Sequence, residues 1–175
     1  MEWLRGREQR RAFERLVAEA TDGLRRTAYL MTWDRQEAED LVQTTWTAVA
    51  RRWPRVSRMP SPLAYARRVL VNAAIDGRPR LQRRRQELGH SEVEGREPPD
   101  TAAGRALTAV EDRHELRRAL SRLSTRQRAI LVLRYWVDLP ELEVAELLGC
   151  SVGTVKSTAS RALAQLRQSL TTDNT

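Results

Sequence analysis

The stretch LPELEVAELLGCSVGTVKS, residues 139–157, decides how this chain of 175 residues is read. Its apolar residues Leu142, Val144, Ala145, Leu147 and Leu148 recur at helical spacing, and Gly149 follows at the point where a helix would stop. Ser151 then offers an N-cap hydroxyl, and Val155, Ala159, Ala162 and Leu166 give a second helix one apolar stripe. Two helices joined by a tight turn predict a helix-turn-helix. The face opposite the stripe carries Thr154, Lys156, Ser157, Ser160 and Arg161. Hydroxyls and cations at the start of a second helix suit contact with base edges and phosphates in a major groove. The competing reading is an amphipathic hairpin of an ordinary helical bundle. Residues 151–170 argue against it, because they contain Lys156, Arg161 and Arg167 and no acidic side chain, whereas a bundle surface usually mixes both signs.

The whole chain agrees with a polyanionic partner. Its net charge is +8, and 41% of its residues are hydrophobic, enough to build one ordinary core or two small ones. No run approaches the length of a membrane-spanning helix, and Met-Glu-Trp-Leu-Arg-Gly-Arg at the N-terminus lacks the apolar centre of a signal peptide, which predicts a cytoplasmic protein without membrane insertion. Cys150 is the single cysteine, so an internal disulfide is excluded; it reads as a small buried residue of the turn. With only His90 and His114 beside it there is no metal-ligand spacing, and no cofactor is expected. Of the 31 basic residues only Lys156 is lysine. Residues 1–80 hold 16 basic against 10 acidic side chains, so contact with nucleic acid is not confined to the C-terminal helices.

Taken in order, Phe13, Leu16, Val17, Ala20, Leu24, Ala28 and Met31 keep the rhythm of an amphipathic helix, with a break allowed near Asp22-Gly23. Asp34 and Glu37 have the spacing of a capping box, and Ala38, Leu41, Val42, Thr45, Trp46 and Val49 follow on one face. The opposite side offers Glu39, Asp40, Gln43 and Thr44, a polar and partly acidic patch on a basic protein. Residues 51–61, RRWPRVSRMPS, read as a loop of two prolines, four arginines, a tryptophan and a methionine. Such a loop suits single-stranded nucleic acid, where bases stack and arginines follow the backbone; the alternative is a plain connector with Trp53 in the core. Ser61-Pro62 starts a further helix through Leu63, Ala66, Val69, Leu70, Ala73 and Ala74 toward Gly77 and Pro79, with Arg67, Arg68 and Asn72 on its other side. Residues 81–106 lose the pattern and read as a flexible linker. Beyond it, Leu107, Val110, Leu116, Leu120 and Leu123 predict another helix, and Ser124 with Gln127 a capping box. The expected fold is all-α: a helical domain over 1–80, a linker over 81–106, and a helix-turn-helix domain over 107–175.

AEDLVQ at 38–43, ARRVLVNAAID at 66–76, LSTRQRAILVLRY at 123–135 and AELLGCSVGTVKS at 145–157 together resemble the extracytoplasmic-function sigma factors of bacterial RNA polymerase, over roughly residues 10–170. The resemblance implies sigma region 2 in the N-terminal domain and region 4 in the C-terminal one. It places Asp40, Leu41 and Gln43 on the helix that docks on core polymerase. It places Trp53, Arg55, Arg58, Arg67, Arg68 and Asn72 where the minus-10 promoter element is opened and read. Ser151, Gly153, Thr154, Lys156, Ser157, Ser160 and Arg161 fall where the minus-35 element is read. Core polymerase, promoter DNA and an anti-sigma factor are the partners implied, and the polymerase performs the chemistry.

Three positions depart from the family pattern: Thr44 replaces a common Glu, Pro140 a common Ser cap, and Ser157-Thr158-Ala159-Ser160 a more usual Ser-Arg-Leu sequence. An ordinary transcriptional regulator is the rival of another class, but it would not need the basic, tryptophan-bearing segment 51–61. An enzyme is the weakest reading, since there is no Gly-rich phosphate loop, no nucleophile elbow and no cluster of Cys, His and carboxylates.

Overall fold

The computed structural model describes residues 6–88 and 117–172, and every regular element among them is helical. The chain divides into two compact units, residues 1–90 and 91–175. In the first, α1 (Arg7–Thr32), α2 (Arg35–Arg51) and α4 (Pro62–Leu88) pack against one another, and the one-turn helix α3 (Trp53–Val56) connects α2 toward α4. The break allowed at Asp22-Gly23 is absent. A glycine in mid-helix costs roughly 1 kcal/mol, and burial of Ala20, Leu24, Thr27, Ala28 and Met31 along the same helix outweighs it. α1 stops at Trp33, whose backbone is left-handed and whose amide closes on the Tyr29 carbonyl at 2.7 Å. Asp34 caps α2 as the sequence predicts, its carboxylate accepting the Glu37 amide at 2.8 Å.

The segment 51–61 differs from the expected loop. Trp53–Val56 form a helical turn with Pro54 in its first turn, and Trp53 and Val56 are both buried. The Trp53 indole N–H donates to the Gln9 carbonyl at 3.0 Å, and its ring meets Phe13 edge to face at 5.2 Å. Phe13 also lies edge to face with Trp46 at 6.2 Å, and the Trp46 N–H donates to the Thr21 hydroxyl at 3.1 Å. Two tryptophans and a phenylalanine thus hold the first half of α1 against α2 and α3. The stacking role expected of Trp53 is corrected: a ring only 3% exposed, with its one donor satisfied, is core. Leu41 is corrected likewise, since at 6% exposure its side chain faces the core and not a partner.

Ser61 caps α4 by accepting the Ala64 amide at 3.1 Å, and Pro62 begins the helix, both as the sequence predicts. Ala66, Leu70, Val71 and Ala74 are its buried contribution. The helix passes Gly77 and Pro79 and ends only at Leu88, so residues 81–88 belong to α4 and not to the expected linker. The run RLQRRRQEL at 80–88 consists of strong helix formers, which favours continuation beyond the proline. The remaining linker residues 89–106 and the helix start at Leu107, Val110 and Leu116 lie outside the described residues.

In the second unit a helical segment at 117–121 precedes α5 (Thr125–Leu131), a wider π-helical turn (Val132–Trp136), α6 (Glu141–Leu148) and α7 (Val152–Thr172). Ser124 and Gln127 form the predicted capping box, with bonds of 3.2 and 2.9 Å. Beneath it lies Arg128, a residue that periodicity alone would put on a surface. It is 1% exposed, and its guanidinium donates to the carbonyls of Leu120, Ser121 and Leu123, tying the end of the 117–121 helix to α5. Leu123, Ala129, Ile130, Leu133, Val144, Leu147, Val155 and Ala162 complete the core around it. Leu142, counted in the apolar pattern, is 61% exposed because it sits on the outer side of the first turn of α6. Pro140 occupies the N-cap of that helix without a side-chain cap, while Glu141 and Glu143 supply negative charge to its first turn.

The aromatic cluster makes the first expectation. Trp53→Ala should destabilise the protein by about 3–5 kcal/mol in chemical denaturation, the usual cost of emptying a tryptophan site. A denaturation midpoint equal to the parent's would contradict a core role and restore the stacking one.

Candidate nucleic-acid interface

α7 begins immediately after the turn of the helix-turn-helix. Gly149 has φ 60° and ψ 44°, a left-handed conformation that ends α6, and the Cys150 amide reaches back to the Ala145 carbonyl at 3.0 Å. Cys150 itself is half-buried, not fully buried as expected. Ser151 is the cap of α7, since its hydroxyl accepts the Thr154 amide at 3.1 Å and also pairs with the Thr154 hydroxyl at 2.9 Å. Val155, Ala159 and Ala162 turn inward, which leaves Ser151, Gly153, Thr154, Lys156, Ser157, Ser160 and Arg161 exposed. All seven sequence-predicted positions therefore share one side of the helix start. A Cβ at Gly153 would meet only the Ser151 hydroxyl, at an ordinary 3.7 Å. The fold does not demand a glycine there, whereas close approach of the backbone to a ligand would. The Ser157 hydroxyl donates to the Thr154 carbonyl at 3.3 Å, and the Arg161 Nε to the Ser157 carbonyl at 3.2 Å, which lays the guanidinium along the exposed face.

Sequence reasoning missed the neighbour of this face. Glu141, in the first turn of α6, stands 3.6 Å from the Lys156 ammonium. A shallow depression beside the pair is lined by Arg134, Tyr135, Glu141, Lys156, Ser160 and Arg167, among others. Arg134 donates to the Leu139 carbonyl and lies 5.8 Å from the centre of the exposed Tyr135 ring. Fifteen positions separate Glu141 from Lys156, so no helical spacing rule could have paired them; only the turn geometry does.

In the first unit, α3 and the following residues present Arg55 and Arg58 to solvent while Trp53 and Val56 anchor them. On α4, Arg68 and Asn72 are exposed and Arg67 is half-buried. Arg51 and Arg52 add exposed cations, and the Arg52 guanidinium donates to the Tyr65 hydroxyl at 3.1 Å. The predicted cations thus do occupy the surface, without the tryptophan.

The patch on α2 keeps Asp40, Gln43 and Thr44 exposed. Gln36 donates to the Asp40 carboxylate and Gln43 to the Glu39 carboxylate, both at 3.4 Å. Arg25 of α1 reaches Glu39 at 2.9 Å and Asp22 at 2.7 Å. The hydrogen bond from Arg25 holds the Glu39 carboxyl below the ordinary carboxylate range, against the opposing effect of its partial burial. Because that value is depressed by folding, the bond contributes stability above the ordinary carboxyl range and loses it as pH falls through the lowered value.

Comparison with known proteins follows the same division. Residues 16–86 match sigma-70 region 2, and residues 113–166 match sigma-70 region 4. The RNA polymerase sigma-E factor of Streptomyces antibioticus is 36% identical over 160 residues, covering 91% of this chain and 85% of that protein. The ECF RNA polymerase sigma factor SigL of Mycobacterium tuberculosis is 32% identical over 149 residues, covering 83% and 81%. Among solved structures, the sigma factor RpoE in complex with the anti-sigma factor NepR from Bartonella quintana gives a TM-score of 0.71 at 23% identity, over 93% of this chain and 98% of that one. CnrH in complex with the cytosolic domain of CnrY gives 0.63 at 24%, over 94% and 90%; at such identities the likeness speaks for the fold. On both domain matches and on these relatives, the chain belongs to the sigma-70 family as an extracytoplasmic-function sigma factor, the kind of protein that directs RNA polymerase to promoters.

Proposed function

We propose that the two units divide promoter recognition, the second reading minus-35 duplex through residues 151–161 and the first docking on core polymerase and engaging the minus-10 strand. The division of α7 into faces carries this reading. Three small apolar residues are buried, and seven hydroxyl, cationic or glycine positions on the other side face solvent with no acidic residue from 151 to 170. Long cations find phosphates at many sequences, whereas the short hydroxyls of Thr154, Ser157 and Ser160 reach base edges or bridging waters only if the helix lies deep. Gly153 and the positive end of α7 favour that depth. Arg55, Arg58, Arg68 and Asn72 would meet the melted strand, with Arg67 contributing from a half-buried position. Asp40 and Gln43 would contact core polymerase, held by the seating of Leu41 beneath them. The polymerase supplies all of the chemistry, so the chain itself is no enzyme, and it works in the cytoplasm where the polymerase and its DNA are. The two structural neighbours described above were solved with an anti-sigma factor and with a cytosolic domain, which supports a protein antagonist of the same kind.

Affinity against salt tests the minus-35 assignment. Lys156→Ala should weaken binding by a similar factor on matched and scrambled duplex and lower the salt slope by about 0.9, one phosphate's worth. Ser157→Ala should instead reorder preference among minus-35 variants. A change of preference in Lys156→Ala with an unaltered slope would mean that the roles are reversed.

For the minus-10 assignment, replacing Arg55 and Arg58 by Ala should leave closed complexes largely intact and impair opening. Permanganate footprints as strong as the parent's would remove these arginines from strand capture.

The docking patch has its own measurement. Asp40→Arg, at an exposed site, should weaken association with core polymerase while the circular dichroism spectrum stays unchanged, and undiminished association would end the assignment.

A further inference from the structure

Lys156, the one lysine among 31 basic residues, lies on the exposed side of α7 with its ammonium 3.6 Å from the Glu141 carboxylate. The two side chains are 63% and 33% exposed, so the pair is open to water and can separate. Glu141 is the sole carboxylate among the residues lining the neighbouring depression, where Arg134, Lys156 and Arg167 bring three cations. It also lies in the first turn of α6, whose N-cap Pro140 gives no side-chain cap and whose orphan amides favour negative charge. A carboxylate thus stands against a cation and beside a helix start, on the side of the protein that approaches DNA. Both surroundings would suit a phosphate oxygen.

We propose that Glu141 is an internal competitor of the DNA backbone, holding Lys156 in the unbound protein and yielding it to a phosphate when duplex binds. The inference rests on the reading of α7 as the duplex-facing helix. Each binding event must break the Lys156–Glu141 pair, so the net gain from the Lys156–phosphate contact is reduced by what that pair was worth. Phosphates carry no base information, and the reduction therefore applies to any sequence. Glu141 keeps general affinity for DNA low in a chain of net charge +8 and leaves discrimination to the hydroxyls of α7.

The test is a double-mutant cycle on the full chain at low salt, with a mixed-sequence duplex and a promoter duplex as probes. Glu141→Gln should tighten binding to both by a similar factor, about two- to fivefold, the range set by an exposed ion pair. Glu146→Gln removes the same charge from an exposed site on the same helix and should give less. In a Lys156→Ala background the advantage of Glu141→Gln over Glu146→Gln should vanish, because the competitor has nothing to hold. Equal effects of the two glutamine variants beside an intact Lys156 would overturn the proposal in favour of general charge. So would an advantage that persists without Lys156. If Lys156→Ala alone binds duplex as tightly as the parent, the duplex-facing reading itself has failed, a result separable from the other two.

Discussion

At Gly149 the backbone turns left-handed, the Cys150 amide closes on the Ala145 carbonyl, and only three residues separate the end of α6 from the start of α7. A side chain there would cost about 1–2 kcal/mol in the same conformation. The exposed polar face at the start of α7 follows from this turn. It fixes where α7 begins, the Ser151 hydroxyl caps that beginning, and burial of Val155, Ala159 and Ala162 sets the rotation of the helix about its own axis. The hydroxyls and cations face outward because the small apolar residues have taken the inside. Arg128 plays the supporting part, donating to three carbonyls where the 117–121 helix ends and so tying that end to α5.

The first unit uses a different device for the same end. Trp46 and Trp53 sink into α1 around Phe13, each with its indole N–H satisfied, and the arginines of the following turn are held out by that anchoring. On α2 a step of one residue separates Leu41, which is core, from Asp40, which is surface. A helix that buries one stripe must display the other, so the exposed groups of α2, α3 and α4 need no special backbone. They need only that the aromatic cluster and the leucine stay buried.

Much of this was legible in the sequence because it rests on local rules. The caps at Asp34, Ser61, Ser124 and Ser151, the stop at Gly149 and the apolar stripe of α7 are each set by neighbours within four residues, and each appears where spacing predicts it. What escaped depends on contacts far along the chain. Trp53 is core because Gln9 and Phe13 lie over it, 44 and 40 positions away, so composition of the segment 51–61 could not decide between stacking and packing. Arg128 is buried by a geometry of carbonyls that hydropathy reads in the opposite sense. Glu141 meets Lys156 across the turn, and the extension of α4 to Leu88 runs against two helix-breaking residues, Gly77 and Pro79. The resemblance carried in whole motifs reached further than periodicity, since it placed both sigma-70 domains in order along the chain.

Transcription from a genomic promoter library by core polymerase, with and without this chain, is the most direct measurement of the central claim. The account predicts transcripts that depend on the chain and whose start sites share one minus-35 and one minus-10 sequence at fixed spacing. Transcripts that are independent of the chain, or start sites with no common upstream element, would contradict it.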